Sequence, residues 1–146
     1  KNSNHGKLLF SAIEIWDKNR FIGVGLKNYR KACNNDKINN ITNQKNLCST
    51  HPHNLYFEIL VETGIIGLAI FLIFIFLVFK KILSVYFKSK YEFKSLIYGS
   101  LIIIFFYFWP IRSNGSFLST FNGSFFWFNL GMILLLSKTR VEKIEK

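Results

Sequence analysis

Charge, and negative charge above all, is what this sequence has least of. Only 18% of its 146 residues are charged, and 8 Asp and Glu stand against 19 Lys and Arg. With half of the chain apolar, this composition excludes a disordered or collagen-like chain and disfavours a nucleic-acid-binding tail. Zinc-type spacing is lacking too. Neither CxxC nor HxxxH occurs, so a metal site built from Cys33, Cys48, His51 and His53 is the weaker alternative for those residues. Gly23-Val24-Gly25 has no third Gly at the dinucleotide-binding interval and no clear strand before it, so it reads as a tight turn. The chain does not start with Met and shows no signal peptide, and its length allows one domain. The expectation is a fragment of a longer protein.

What the sequence has instead is apolar length. Residues 64–79 carry no charge, and with 59–63 they reach the roughly 20 residues that span a bilayer core. The run stops at Lys80 and Lys81. A second, residues 95–111, lies between Lys94 and Arg112, and a third, residues 122–137, ends at Lys138. Three such runs in succession favour an all-α, polytopic helical membrane protein fragment over the core helices of a soluble protein. Residues 1–51, polar and Asn-rich, form its extracytoplasmic loop region.

The connectors orient the spans. Residues 80–94 hold Lys80, Lys81, Lys88, Lys90 and Lys94, and the tail 138–146 holds Lys138, Arg140, Lys143 and Lys146, so both are expected in the cytoplasm. Residues 112–121, with Arg112 as their one cation, belong on the outer face together with residues 1–51. Tyr107, Trp109 and Trp127 lie near the outer ends of their spans, where interfacial aromatics are expected. The net charge of +11 thereby divides. Cations of the connector and tail are topological, while Lys27, Arg30 and Lys31 face outward, where the fitting acidic partner is a lipid diphosphate rather than nucleic acid.

Within the outer region, Leu8, Leu9, Ala12, Ile15 and Trp16 recur at helical spacing and predict an amphipathic helix ending near Asn19. Cys33 and Cys48 both fall outside the cytoplasm, where a disulfide is the default. It would close the Asn-rich loop 34–47 with about 3 kcal/mol of stabilisation. Pro52 suits a first helical turn, so one helix is expected over 52–79, periplasmic at its start and then transmembrane. That geometry puts His53 roughly 10 Å beyond the hydrocarbon edge, at the depth of lipid phosphates, with the positive helix end favouring its neutral form. Asn54, Glu58 and Glu62 form a stripe at i, i+4 and i+8 that points away from His53.

The segment resembles the bacterial O-antigen ligase and O-antigen polymerase family. His53-Asn54, nine intervening residues and then Gly64-Ile65-Ile66-Gly67 match the family's His-Asn-x9-Gly-x-x-Gly pattern. Upstream, residues 12–30 look like its amphipathic helix and Gly-x-Gly turn. Downstream, Trp109-Pro110 and Gly115-Ser116-Phe117 look like its last outer turn. The likeness covers nearly the whole chain, which would then be the large periplasmic loop and last three spans of a multi-pass protein of the bacterial inner membrane. One position departs: where many members carry an Arg early in the amphipathic helix, this chain has His5 and Lys7. Lys7 lacks the two-pronged donor of a guanidinium, and Arg30 is the candidate to take over that role.

The resemblance implies a glycan donor on undecaprenyl diphosphate and an acceptor hydroxyl on lipid A-core or another glycan, with no metal or nucleotide cofactor. His53 is expected as the base or the group that orients the acceptor. Arg30, with Lys27 and Arg20, would stabilise the departing diphosphate, Arg112 would add charge from the opposite turn, and Asn54 and His51 would bind substrate beside His53. Two other readings stay open: an O-antigen polymerase, with the same donor and a different acceptor, and a non-catalytic transporter or flippase tail.

Overall fold

The computed structural model describes residues 4–34, 48–88, 91–113, 115–117 and 119–144. It is all-helical: α1 spans Asn4–Asp17, α2 Tyr29–Cys33, α3 Leu55–Lys88, α4 Tyr91–Tyr107 and α5 Thr120–Ile144, with no strand among the described residues. The chain divides into two compact units. The first joins residues 1–72 with 110–119, and the second joins 73–109 with 120–146. The Asn-rich loop expected between the cysteines lies outside the described residues, as do the side chains of His5 and Lys7 and of the tail cations from Lys138 onward.

In the first unit the amphipathic pattern of α1 sets the packing. Ala12 and Ile15 are buried with Tyr29 and Cys33 of α2 and Val61 of α3, and Trp16, Val24, Ala32, Cys48 and Phe57 close around them. Burial pushes the Tyr29 phenol up to about 12, and its hydroxyl has no hydrogen-bond partner among the described residues. It stays neutral and fills the core as an apolar ring.

The second unit is built from apolar helix faces. Val78, Ile82 and Val85 of α3, Ile97 and Ile104 of α4, and Phe126, Leu130 and Ile133 of α5 are buried. Phe108 stands edge-on to Phe79 at 6.4 Å and to Phe126 at 5.3 Å, the offset geometry that aromatic quadrupoles prefer. Polar side chains inside these helices return to their own backbone: Ser100 Oγ donates to Leu96 O (3.1 Å) and Asn129 Nδ2 to Phe125 O (2.8 Å). Such internal satisfaction is what an apolar surrounding requires.

Helix α3 is long and apolar enough to cross a membrane, and Phe93–Tyr107 forms a shorter apolar helix. Only 28% of the most apolar window of α3 is buried, whereas a core helix of a soluble protein is mostly buried. Phe76, Phe87, Phe106 and Phe128 point outward. Helix boundaries differ from the sequence reading: α3 runs past 79 to Lys88, α4 begins at Tyr91 rather than 95, and α5 begins at Thr120 rather than 122, so most of the connector expected over 80–94 is helical. Helix α4 stops at Tyr107 rather than 111, because Pro110 disfavours helical backbone at Trp109. Helix α5 continues past 137 to Ile144, carrying Lys138, Arg140 and Lys143 in its last turns. Helix α3 begins at Leu55 rather than Pro52 and is broken at Gly64.

Candidate active site

The break at Gly64 organises the first unit. Gly64 has φ 69° and ψ −170°, far from helical values. In an unbroken helix the carbonyls of Val61 and Glu62 would accept from the N–H groups of Ile65 and Ile66. Here those four groups turn to the loop after α1 instead. Val24 N–H donates to Val61 O and Gly25 N–H to Glu62 O, each at 2.9 Å, while Ile65 N–H donates to Arg20 O (2.8 Å) and Ile66 N–H to Phe21 O (3.4 Å). Two helical bonds are exchanged for four between segments, so each of these four groups keeps a partner.

The splice requires one glycine of each motif. A Cβ on Gly23 would lie 2.5 Å from Val61 O and one on Gly64 would lie 2.1 Å from Phe21 O, so neither position admits a side chain. Gly67 makes room for Thr63, whose hydroxyl returns to Ile59 O at 2.7 Å. The tight turn read at Gly23-Val24-Gly25 is one half of this joint, with positive φ at Gly23 and Gly25.

The polar stripe on α3 ties other segments of the first unit to the same helix. Glu62, almost fully buried, accepts the N–H of Lys27 at 2.8 Å, which holds Lys27 at φ 59°. Glu58, equally buried, accepts from Phe117 N–H at 3.0 Å and from the Ser116 hydroxyl, and so fixes the turn that contains Gly115-Ser116-Phe117. Asn54 Nδ2 donates to Pro110 O at 2.7 Å. The stripe is a row of anchors.

Asn54 also explains where α3 starts. Its Oδ1 accepts from the N–H groups of Tyr56 (3.0 Å) and Phe57 (3.2 Å), a side-chain N-cap, while its carbonyl accepts the first helical bond from Glu58. This cap displaces the expected start at Pro52. His53 therefore precedes the helix instead of sitting in its first turn, at φ 58°. Positive φ is uncommon for a non-Gly residue and gathers at functional sites. Asn54→Ala is expected to cost about 1 kcal/mol from the cap, with a further loss from the Pro110 tie, in thermal melts of the full-length protein. Asn54→Asp keeps the accepting oxygen and falls between the two.

The disulfide Cys33–Cys48 joins α2 to the segment leading into His53, with Cα atoms 5.6 Å apart. It also removes the thiolates that a Cys–His metal site would need. Beyond it, Ser49 Oγ lies 3.1 Å from His53 Nε2, Thr50 Oγ1 lies 2.9 Å from His51 Nδ1, and the two imidazoles approach to 4.2 Å between centroids. His51 Nε2 is buried without a partner among the described residues. Replacing both cysteines by Ala is expected to lower stability by about 3 kcal/mol. Melts with and without reductant check it: reductant should lower the wild-type midpoint and leave the variant unmoved.

The expected cations are placed unequally. Arg30 is exposed on α2, which the disulfide links to the His53 segment, and Lys27 is exposed beside Gly25 with its backbone held by Glu62. Arg20 is engaged with Asp17 three residues earlier, an exposed pair worth little in stability. Arg112 is exposed in the unit's second segment. Among the described residues no group of three or more His, Cys, Asp and Glu is arranged to hold a metal. Sequence reasoning missed Ser49, whose signal was only its place between Cys48 and His53, and it missed the anchoring carboxylates.

Residues 6–72 match the O-antigen ligase family. The match takes in both glycine motifs, the disulfide and His53, and it ends at the residue where the first unit's leading stretch ends. The family segment thus lies within the first unit, which adds residues 110–119, and the likeness read at the His-Asn segment is to this family. O-antigen ligase-like proteins are membrane proteins of the ligase and glycosyltransferase type, in keeping with the apolar α3. No curated protein and no solved structure matches the chain.

Proposed function

We propose that this chain is the periplasmic loop and closing spans of a multi-pass inner-membrane glycosyltransferase of the O-antigen ligase type. It moves a glycan from undecaprenyl diphosphate to a hydroxyl of lipid A-core or a comparable acceptor. The observation that carries this reading is the position of His53. It stands outside the helix at positive φ, between the disulfide and the Asn54 cap, within the segment matched to the family.

In the reaction, the acceptor oxygen bonds to the anomeric carbon of the donor sugar and the bond from that carbon to the diphosphate oxygen breaks. The electron pair leaves with undecaprenyl diphosphate, and the acceptor proton passes to His53. Arg30 and Lys27, exposed on one stretch, supply positive charge toward the leaving diphosphate, with Arg112 as a further contributor. Arg20, paired with Asp17, is the weaker candidate for that role. Asn54 acts by fixing the helix beneath His53, and His51 packs against the catalytic ring. The reaction places the site on the periplasmic face and the Lys-rich connector 80–94 in the cytoplasm, as the positive-inside rule requires.

The lipid-linked glycan that accumulates in a strain lacking the full-length protein tests the reading. A long glycan on undecaprenyl diphosphate supports a ligase, a single repeat unit converts the assignment to a polymerase, and no accumulation contradicts both. Complementation by His51→Ala but not His53→Ala is the expected pattern in the same strain.

A further inference from the structure

The loop spliced into α3 carries an apolar surface to which neither the fold nor the reaction above gives a role. Val24 packs on the core of the first unit, whereas Phe21, Ile22 and Leu26 are 71%, 76% and 60% exposed. A loop bathed in water would turn its polar side chains outward. Backbone bonds fix the level of this apolar tip along α3. Arg20 O and Phe21 O accept from Ile65 and Ile66, and Val24 and Gly25 donate to Val61 O and Glu62 O. Trp16 Nε1 also donates to Arg20 O (3.2 Å), which ties the start of the loop to the end of α1. Glu62 is the last charged residue of α3 before the uncharged stretch 63–79. The loop is therefore bonded to the helix at the point where its membrane-crossing stretch begins.

Charge surrounds the tip. Lys18 and Arg20 precede it, Lys27 and Arg30 follow it, and all four are exposed. Cations beside an exposed apolar tip are the pattern of a segment seated in a lipid interface, with hydrocarbon beneath it and phosphates around it. A further helix laid over the tip would cover its apolar side chains but offer the cations no phosphates. We propose that residues 20–26 form a wedge in the bilayer. Phe21, Ile22 and Leu26 enter the hydrocarbon of the leaflet at which α3 begins to cross, and the flanking cations meet lipid phosphates. The wedge holds the first unit against the membrane surface. It rests on α3 crossing a membrane and not on the proposed reaction.

Nitroxide labels test the wedge in the full-length protein, in bilayers of phosphatidylethanolamine and phosphatidylglycerol. They are placed through Ile22→Cys, Leu26→Cys or Lys31→Cys, each as the one free thiol, with the Cys33–Cys48 bond closed. These three side chains are exposed, so the labels disturb no packing. Relaxation of each label by oxygen, which concentrates in hydrocarbon, is compared with relaxation by a water-soluble nickel chelate. Oxygen should dominate at positions 22 and 26, and the chelate at position 31. Dominance of the chelate at 22 or 26 would put the tip in water and overturn the proposal. Weak relaxation by both agents there would put the tip against protein, such as another span of the same chain, and overturn it equally. Dominance of oxygen at 31 would overturn the restriction of the wedge to residues 20–26. The reaction is judged separately by transfer in His53→Ala, whose outcome leaves the label results standing.

Discussion

Gly64→Ala is expected to abolish glycan transfer and remove the cooperative melting of the first unit. The methyl group would stand 2.1 Å from Phe21 O and 2.3 Å from its carbonyl carbon, both backbone atoms that cannot rotate away. Retreat of the loop would break the bonds from Ile65 and Ile66 to Arg20 and Phe21 and then those from Val24 and Gly25 to α3. Ala at φ 69° and ψ −170°, a region open essentially to glycine alone, costs about 1–3 kcal/mol by itself, and each lost backbone bond adds about 1. The total, about 4 kcal/mol or more, is a large share of the stability of any domain. Gly99→Ala is the matched control. Nothing stands within 4 Å of the added methyl, and the position lies inside α4, where Ala is the better helix former. Circular dichroism melts of the purified protein check the pair. A Gly64→Ala midpoint equal to wild type would contradict the splice.

The second large effect is expected at Glu58. Its carboxylate is the acceptor for both Phe117 N–H and the Ser116 hydroxyl. Hydrogen bonds to a charged group contribute about 1.5–3 kcal/mol each, and removing the acceptor takes this partner from two half-buried donors. Glu58→Ala should therefore cost about 3 kcal/mol and release the turn around residue 116, detected as new protease cleavage between residues 110 and 119. Glu58→Gln keeps one accepting oxygen and should be intermediate. Because Asn54 ties Pro110 in the same turn, the double variant with Asn54→Ala should lose less than the sum of the two singles. Protease resistance of Glu58→Ala equal to wild type would show that the turn has another anchor.

The features legible in the sequence are those whose cause is local. The spacing of Leu8, Leu9, Ala12, Ile15 and Trp16 marks α1, and Ala12 and Ile15 are its most deeply buried members. Gly23-Val24-Gly25 marks a turn by composition alone, and two cysteines in an outer segment imply their own bond. The break at Gly64 was illegible because an uncharged run of Ile, Leu and Phe containing glycine has the same pattern whether straight or kinked. What breaks it is a set of hydrogen bonds from residues 20–25, far away in the chain. The same holds for Glu58 and Glu62, whose buried carboxylates are justified only by distant N–H groups. At the site, the motif located His53 and Asn54, but assigning the histidine to a first helical turn gave Pro52 more weight than the Asn54 cap. An Asn side chain that satisfies two N–H groups sets the start more firmly than a Pro that merely tolerates it.

The central claim is that His53 performs the transfer while the surrounding motifs hold it in place. It is tested most directly by purified full-length protein in bilayers, given a lipid-linked glycan and its acceptor, with product formation followed for wild type, His53→Ala and His51→Ala. The account predicts a loss of about 10²-fold or more for His53→Ala, with an unchanged melting midpoint, and near wild-type transfer for His51→Ala. Transfer by a correctly folded His53→Ala protein at the wild-type rate would contradict it.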